Sequence, residues 1–327
     1  MRILFWGDTA GNTGPFNINK GITANLTPAF LTVKRRGKHR DFMVACWNLP
    51  RADVLVVSNV SRKGSLLSVA AKCLGKPMVY LMHGCDRYEA ELNQVTYSDS
   101  RLEWEDTLMK NADLLLPVSR KFMTWVHGYY PQYAYKTKYL YNGIDEMIFR
   151  VACTTPKKPG TVAASGGMTP LKNNLPVLQA VTVLHGKASL TVYGVEDGDI
   201  SPEENGIRKA GTLPHDQFLQ ELAGTQLFVL NSVFETFSVA VVEALACGCS
   251  VLVSEVAGIT DLLVLEETDI IHDPMDVEEI RGKMEYLLDH PNRERILSQF
   301  DVSEWTFEKM VQHLEDCCKG LLEHRNK

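Results

Sequence analysis

One acidic side chain stands alone in a strongly apolar helical pattern. In the stretch ETFSVAVVEALACG, residues 235–248, every residue from Val239 to Cys247 is apolar except Glu243. An ionised carboxylate in a buried helix is costly unless another group pairs with it. The first question that the sequence raises is therefore which group binds Glu243.

The residues before this helix could bind an anion. The run QLFVLN, residues 226–231, predicts a strand, and a loop with Glu235 leads into a helix that Thr236 or Ser238 could cap. The free N–H groups and the positive dipole end of such a helix favour phosphate. A ribose would then supply the partner of Glu243, because a carboxylate accepts two hydrogen bonds from a vicinal diol. The alternative is a structural glutamate bonded to the backbone or to a buried cation.

Length and charge narrow the class of protein. A chain of 327 residues suits two domains of roughly 150 residues each. Forty acidic residues against 34 basic ones give a net charge of -6, which argues against a general nucleic-acid binder, since that class needs a basic face. The first apolar run, residues 3–6, is too short for a signal peptide or a membrane span, so we expect a cytoplasmic protein.

The eight cysteines do not indicate disulfides or a zinc site. Cys46, Cys73 and Cys85 lie in or beside apolar patterns, whereas Cys247 with Cys249 and Cys317 with Cys318 lack zinc-site spacing and nearby histidine pairs. We therefore expect reduced thiols, mostly in the core.

Short apolar runs alternate with helical patterns nearly throughout, which is typical of parallel sheets with crossover helices. The predicted strands are residues 2–6, 41–46, 53–58, 78–82, 113–118, 138–141, 161–166, 189–193, 207–210, 226–231, 250–254 and 269–272. The predicted helices include residues 65–75, 102–112, 174–185, 215–223, 239–247 and 276–289, and an amphipathic helix that follows Trp305. Residues 150–160 are predicted to be a linker, so the pattern predicts two doubly wound α/β halves with a ligand cleft at the carboxyl ends of their strands.

Several common sites are missing from the sequence. The loop GDTAGNTG, residues 7–14, lacks the spacing of a dinucleotide fingerprint, and no Walker lysine, H-E-x-x-H or G-x-S-x-G is present. Asp197 and Asp199 could chelate a divalent cation. They follow a strand in a glycine-containing turn, however, where aspartate is favoured for its own backbone hydrogen bonds, and we prefer that interpretation.

An ordered series of motifs resembles the family 4 glycosyltransferases, which are retaining enzymes of GT-B fold. The run NSVFETFSVAVVEALACGCSVLVSEVAGITDLL, residues 231–263, is similar to the donor-site signature of that family. Further similar runs are ADLLLPVS at 112–119, YNGIDEMIF at 141–149, GGMTPLKNN at 166–174, VYGVEDGD at 192–199 and GTLPHDQFLQEL at 211–222. The resemblance implies two Rossmann-like domains facing each other across a cleft. Residues 1–150 would be the acceptor side, 151–303 the donor domain, and 304–327 a helix that crosses back.

The resemblance implies a role for each matching residue. Glu235 would hold the donor-sugar hydroxyls, Lys172 would bind the diphosphate, and His83 in LMHGCD would approach the sugar, as the catalytic set. Glu243 would hold the ribose. The other implied donor-binding residues are Gly11, Asn12, Gly167, Thr212, Leu213, Thr236, Phe237, Ser238 and Val239. Without the family context, such a histidine is more often a bonded core residue and such a lysine a solvated one.

Two positions depart from the family pattern. Gly167 stands where the family usually has an arginine, and the loss of one cation at the leaving diphosphate could cost roughly 2–4 kcal/mol unless Arg208 or Lys209 replaces it. Ser238 replaces the usual glycine, which we expect to be the milder change, because the backbone N–H remains.

The implied reaction moves a sugar from a nucleoside diphosphate, such as a UDP- or GDP-sugar, to an acceptor hydroxyl with retention of configuration. The departing phosphate oxygen would help to take the acceptor proton, with no metal and no further cofactor. The acceptor would be a carbohydrate or a lipid-linked carbohydrate, in cell-surface polysaccharide or glycoconjugate synthesis. Two alternatives remain: a non-catalytic partner subunit, suggested by Gly167, and a nucleotide-sugar epimerase on the same fold.

Two stretches of the first half could touch a membrane. TVKRRGKHR, residues 32–40, is strongly basic, and WVHGYYPQYAYKTKYLY, residues 125–141, interleaves tyrosines with lysines. Both could rest on the anionic inner face of a membrane that presents the acceptor. For the first stretch, a solvated helix end whose cations complement the helix dipole is the preferred interpretation.

Overall fold

Two compact units make up the chain in the computed structural model, which describes residues 1–9, 14–31, 38–150, 155–184, 186–196 and 201–325. The first unit comprises Met1–Asp145 with Glu304–Lys327, and the second comprises Glu146–Ser303. Each unit contains a mainly parallel sheet with crossover helices, so the predicted α/β class is confirmed.

The strands are β1 (Ile3–Gly7), β2 (Phe30–Leu31), β3 (Val54–Ser58), β4 (Met78–Met82), β5 (Leu114–Pro117), β6 (Thr161–Ser165), β7 (Ser189–Tyr193), β8 (Ser201–Glu204), β9 (Ile207–Lys209), β10 (Leu227–Leu230), β11 (Ser250–Ser254) and β12 (Ile270–Ile271). The helices are α1 (Gly14–Ala24), α2 (Lys38–Asn48), α3 (Arg62–Cys73), α4 (Asp86–Asn93), α5 (Asp99–Asn111), α6 (Arg120–Tyr129), α7 (Met147–Arg150), α8 (Asn174–Val183), α9 (His215–Gly224), α10 (Val239–Ala246), α11 (Val277–Asp289), α12 (Arg293–Leu297) and α13 (Phe307–Arg325).

The sheet of the first unit has the order β2-β1-β3-β4-β5, and its strands are parallel. Strands β3, β4 and β5 are buried along their whole length. Continuous apolar strands of this kind are expected where helices cover both faces of a parallel sheet. Their carboxyl ends therefore lie at one edge, where β4 leads directly to His83.

The sheet of the second unit has the order β12-β11-β10-β6-β7-β9-β8, with only the last pair antiparallel among the described strands. Its core combines the inward residues of β6, β7, β10 and β11 with apolar residues of α8 and α11. Because β10, β6 and β7 are neighbours, the loops that follow these three strands emerge side by side at the carboxyl edge.

Two predicted strands are wrong. Residues 41–46 belong to helix α2, where Phe42 packs edge-on against Trp6 and Ala45 is buried, and Leu49 directly after the helix is buried as well. The 3- and 4-residue spacing of these inward residues is helical, not alternating. Residues 138–141 form no regular strand, although two backbone N–H groups there donate to carbonyls of β5.

The strands that sequence patterns missed are β2 and β8. Strand β2 has only two residues, and β8 has the sequence SPEE, which carries neither β-branched nor aromatic residues. Strand β8 is the outer strand of its sheet, where proline is tolerated because one edge lacks a partner strand.

Cysteine burial differs in part from expectation. All seven described cysteines are free thiols, but Cys46 and Cys73 are exposed, because they lie on outward positions of α2 and α3. The prediction of core thiols is therefore wrong for these two. Cys85, Cys249 and Cys318 are buried.

Helix α13 packs within the first unit. The ring of Phe307 lies where a side chain at Gly21 or Gly143 would stand, and the Gly143 N–H donates to the sulfur of Met310 at 3.0 Å. Glycine is required at both positions for this close approach. Among the described residues, no helix combines the length and the apolar character that crossing a bilayer requires.

Candidate functional site

Three loops meet at the carboxyl edge of the second unit's sheet. The loop after β6 contains Gly166 and Gly167, the loop after β7 begins with Gly194, and the loop after β10 leads to α10. The Gly167 N–H donates to the Tyr193 carbonyl at 2.9 Å, and the Val233 N–H donates to the Leu171 carbonyl at 3.0 Å. These backbone bonds connect the loops into one surface.

Gly167 lies where no side chain fits. Its φ is +68°, and a Cβ atom there would stand 2.6 Å from the Gly194 carbonyl oxygen. The buried Asn174 side chain, at the start of α8, donates to the Gly167 carbonyl at 2.7 Å and to the Ser165 carbonyl at 3.2 Å. The missing arginine is thus excluded by the backbone path of this loop.

Replacing Gly167 with arginine is expected to destabilise the protein by about 2 kcal/mol or more. The cost combines a left-handed φ in a non-glycine residue with the clash at Gly194. Urea denaturation measures the change. Gly224→Arg is the matched control, because a Cβ there meets no atom within 4 Å. An unchanged midpoint for the Gly167 variant would contradict this account of the loop.

Lys172 and Glu235 form an ion pair across two of the loops. The Lys172 Nζ lies 2.6 Å from Glu235 Oε2, and the two side chains are 26% and 12% exposed. The Gly166 φ is +84°, and a Cβ there would overlap the side-chain methylenes of Lys172. Glycine at 166 therefore leaves room for the lysine to reach its partner.

Backbone hydrogen bonds anchor the loop after β10 to the segment that follows β11. A short 3-10 helix, Gly258–Asp261, follows β11, and its Gly258 and Ile259 N–H groups donate to the carbonyls of Glu235 and Phe237 at 3.1 and 2.8 Å. Phe237 is buried. The first turn of α10, beginning with Val239, has N–H groups that no residue of the same helix can accept. These free N–H groups follow directly after the anchored loop, so their position is fixed by it.

Ser238 occupies the N-cap position of α10 with φ +83°. The predicted capping by Thr236 or Ser238 is not seen in the case of Ser238, whose side chain makes no cap hydrogen bond. The positive φ shows why glycine suits this position, and serine there is strained. The serine keeps the backbone N–H group, as expected. Its positive φ, however, means that serine in place of glycine strains the backbone at this position.

Ser238→Gly is expected to raise the free energy of unfolding by about 1 kcal/mol, because the strain at positive φ is relieved. Chemical denaturation measures it. Ser298→Gly is a suitable control, since Ser298 has φ -64° and gains nothing from glycine. Equal effects of the two substitutions would argue against strain at Ser238.

Glu243 has a protein partner in this structure. The residue is buried, and its Oε1 lies 2.7 Å from Nε2 of His215, the first residue of α9. The His215 side chain is 45% exposed, so the pair connects a buried carboxylate to the surface of the unit. Thr212 and Leu213 lie just before α9 in the same segment.

Arg208, one of the two suggested replacements for the missing arginine, is engaged elsewhere. Its guanidinium lies 3.6 Å from Glu221 and 5.9 Å from the centre of the Tyr193 ring. Glu221 also accepts a hydrogen bond from the Tyr193 hydroxyl. This arrangement ties Arg208 to β7 and α9.

His83 belongs to the first unit and is buried at the end of β4. Its Nε2 lies 2.9 Å from Ser58 Oγ, which donates to Asn19 Oδ1 at 2.6 Å, while Asn19 Nδ2 donates to the Asp8 carbonyl. Because the Ser58 proton goes to Asn19, the serine oxygen accepts from His83, and the imidazole is protonated at Nε2. Burial lowers the pKa of His83 to about 3, so the ring is neutral at physiological pH.

His83 should make the protein sensitive to acid. Its pKa is about 6.5 when exposed and about 3 in the fold, so the unfolded chain binds the extra proton. Stability is then lost as the pH falls from about 6.5 toward 3, by at most about 1.4 kcal/mol per pH unit. His83→Gln removes this loss and retains a donor for Ser58. Urea titrations of both proteins at several pH values test it.

The difference in free energy of unfolding between wild-type protein and His83→Gln, measured at each pH, isolates the effect of His83. Burial raises the pKa of Glu105 from 4.5 to about 7, so its effect has the opposite sign, with stability lost as the pH rises through that range. That effect is common to both proteins. If the free energy of unfolding of both proteins changed with pH in parallel, the acid sensitivity could not be assigned to His83.

Four predicted positions lie outside the described residues. These are Gly11 and Asn12 of the candidate donor site and the Asp197 and Asp199 pair. Within the described ranges, no group of three or more histidine, cysteine, aspartate or glutamate side chains is arranged to hold a metal ion.

One lysine of the tyrosine-rich stretch, residues 125–141, does not suit the predicted membrane contact. Lys136 is buried, and its Nζ donates to the carbonyls of Met109 and Ala112 at 2.8 and 2.7 Å, at the end of α5. A lysine that satisfies helix carbonyls cannot face a membrane. Tyr135 and Tyr139 do remain exposed.

Sequence reasoning missed four polar residues that position the others. These are His215, Asn174, Ser58 and Asn19. His215 lies within the run GTLPHDQFLQEL, whose resemblance pointed to Thr212 and Leu213. Its pairing with α10 joins two separate helices, and no spacing pattern reports such a contact.

Comparison with known proteins identifies similar chains. Residues 150–300 match the family model described as Glycosyl transferases group 1. The sulfoquinovosyl transferase SQD2 of Arabidopsis thaliana is 29% identical over 165 residues, which are 46% of this chain and 31% of that protein. The chain thus matches about a third of the length of this curated relative.

Solved structures resemble the chain along nearly its whole length. One is the crystal structure of HepE (Alr3699) from Anabaena in complex with UDP and glucose. Its TM-score is 0.69 at 15% sequence identity, and the match covers 98% of this chain and 100% of the HepE chain. Sucrose-phosphate synthase (tll1590) from Thermosynechococcus elongatus has a TM-score of 0.69 at 13% identity, covering 99% and 100%. At these identities the likeness establishes the fold, which is GT-B.

Proposed function

We propose that this protein, whose residues 150–300 belong to the glycosyl transferases of group 1, moves a sugar from a nucleoside diphosphate to an acceptor hydroxyl with retention of the anomeric configuration. The observation that carries the proposal is the grouping of Lys172, Glu235 and the first turn of α10 on one sheet edge, with Glu243 in the same helix. Each of these groups has chemistry that suits one part of a nucleotide sugar.

Lys172 and the start of α10 suit the diphosphate. The N–H groups of Phe237, Ser238 and Val239 precede or open the helix, where the dipole favours an anion. An ammonium group has three donors, so Lys172 can bind Glu235 and a phosphate oxygen together. Glu235 retains acceptor capacity for a hydroxyl of the transferred sugar.

The chemistry follows from this arrangement. Bond cleavage at the anomeric carbon builds negative charge on the departing diphosphate, which fixed N–H groups and Lys172 stabilise. The departing phosphate oxygen takes the acceptor proton on the same face of the sugar. In this scheme the protein needs no covalent nucleophile and no cofactor.

Product analysis tests the function. A thermal-shift screen against UDP-, GDP- and ADP-sugars selects the donor, starting with UDP because HepE was crystallised with it. Purified protein is then incubated with that donor and carbohydrate acceptors, and NMR coupling constants give the anomeric configuration. A retained configuration supports the proposal, and an inverted one contradicts it. An altered nucleotide sugar without any acceptor would indicate an epimerase.

A non-catalytic partner subunit is a second candidate. The loop geometry at Gly167 excludes the arginine usual in the family, which removes one cation from the leaving-group site. Nucleotide binding without turnover under every acceptor tested would favour this role. Turnover by the purified chain would exclude it.

We further propose that the acceptor is a lipid-linked carbohydrate of cell-surface glycoconjugate synthesis and that the first unit rests on an anionic membrane, at the cytoplasmic face. The supporting feature is helix α2, where Met43 and Trp47 are 69% and 70% exposed and Arg40 is exposed as well. The basic stretch KRRGKHR, residues 34–40, leads into this helix, although residues 34–37 lie outside the described ranges. Exposed apolar side chains beside basic ones are typical of interfacial helices.

Vesicle sedimentation tests the membrane contact. Binding is expected to vesicles of phosphatidylglycerol with phosphatidylcholine and not to phosphatidylcholine alone. Met43→Ser combined with Trp47→Ser should weaken it. Val256→Ser combined with Met275→Ser is the control, because these exposed apolar residues belong to the second unit. Equal binding by both double variants would overturn the assignment to α2.

A further inference from the structure

The contact between His215 and Glu243 uses only one of the two carboxylate oxygens. Nε2 of His215 lies 2.7 Å from Oε1 of Glu243. Within the described part of the chain, Oε2 makes no hydrogen bond. The carboxylate thus has one oxygen fixed by the protein and the other open.

A carboxylate held at one oxygen has a fixed direction. Each carboxylate oxygen has two lone pairs, so Oε1 can accept from His215 and from one ligand hydroxyl, while Oε2 accepts from a neighbouring hydroxyl. Two adjacent hydroxyls, as in a ribose, match two oxygens held in one orientation. Without the histidine, rotation about the side-chain bonds would spread the carboxylate over several directions.

We infer that His215 is a positioning residue that orients Glu243 toward the pentose and thereby makes the site prefer a ribonucleotide over a deoxyribonucleotide. The inference rests on the proposed function, because it assumes a nucleoside diphosphate ligand. His215 is suited to this task because it is the first residue of α9 and so approaches α10 from a separate element. Its side chain spans from the surface to the buried carboxylate.

A purely structural pair would behave differently. In that case, loss of His215 would lower the stability of the unit and would weaken all nucleotides equally. A positioning role predicts that the variant loses discrimination between nucleotides that differ by one hydroxyl. The ratio of two affinities therefore separates the roles even where the variant is less stable.

Calorimetric titration with UDP, 2′-deoxy-UDP and 3′-deoxy-UDP provides this ratio. Wild-type protein is expected to bind at least one deoxy analogue roughly ten- to a hundredfold more weakly than UDP, the effect of one hydrogen bond to a charged group. In His215→Phe, which keeps a ring but lacks the donor, the penalty should fall below about threefold. His215→Gln, whose amide can donate to the same oxygen, should recover part of it.

His272→Phe is the matched control. His272 contacts the carboxylates of Glu255 and Glu267 at 3.1 and 2.8 Å, so its loss also removes a histidine–glutamate contact in the second unit. This variant should keep the wild-type penalty.

An unchanged penalty in His215→Phe, or no penalty in wild-type protein, would overturn the role of His215 while leaving the glycosyltransferase proposal in place. Failure of UDP, GDP and ADP alike to bind wild-type protein would instead refute the nucleotide site itself, and the inference with it.

Discussion

Lys172→Ala is expected to lower kcat/KM for glycosyl transfer by roughly 10²–10³-fold. This is the usual effect of removing one preorganised donor from developing charge. The loss falls mainly on kcat, because the charge on the diphosphate grows as the glycosidic bond breaks. Because position 167 is glycine and not arginine, Lys172 is expected to provide more of this stabilisation than it would beside a second cation.

Steady-state kinetics with the donor chosen by thermal shift measures this effect. Lys187→Ala is the matched control, since Lys187 also pairs with a glutamate, Glu285, but is 73% exposed. An exposed pair of this kind contributes little. The alanine variant at 172 also leaves Glu235 without its cation, so Glu235→Gln in the same background separates that secondary effect. A Lys172→Ala enzyme with near wild-type kcat would refute the leaving-group role.

Glu243→Gln is expected to weaken binding of the nucleoside diphosphate roughly 30- to 150-fold, or about 2–3 kcal/mol. Two charge-assisted hydrogen bonds become neutral ones, and each loses roughly 1–1.5 kcal/mol. Glutamine has nearly the same shape and can still accept from His215, so the fold should be preserved. The substitution therefore tests recognition rather than packing.

Calorimetry measures this affinity, and the unfolding midpoint confirms that the variant is folded. Glu285→Gln serves as the control, because this acid of the second unit pairs with Lys187 on an exposed surface. An affinity unchanged in Glu243→Gln would mean that the buried acid is a structural partner of His215 and that the pentose binds elsewhere.

Much of the fold could be predicted because buried parallel strands have a strong local pattern. Apart from their terminal serines, the runs VLVVS, MVYLM and SVLVS are apolar, and each coincides with a strand. The run DFMVAC is similarly apolar, yet it is helical, since a short apolar run does not distinguish the two periods. In the folded protein Phe42 of this run packs against Trp6 and Ala45 is buried, so tertiary packing determines which of its residues turn inward.

In the candidate site, too, some features follow from local sequence and others depend on how the chain folds. The α/β class, the isolated acid in α10 and the glycines of the loops could be predicted from the residues alone, because composition, periodicity and residue type are local properties of a chain. Three features became visible only in the folded chain: His215 pairs with Glu243, Lys172 pairs with Glu235, and no arginine fits at position 167. Each of these depends on distances between segments far apart in sequence, which are set by how the strands order themselves in the sheet and which loops that order makes neighbours.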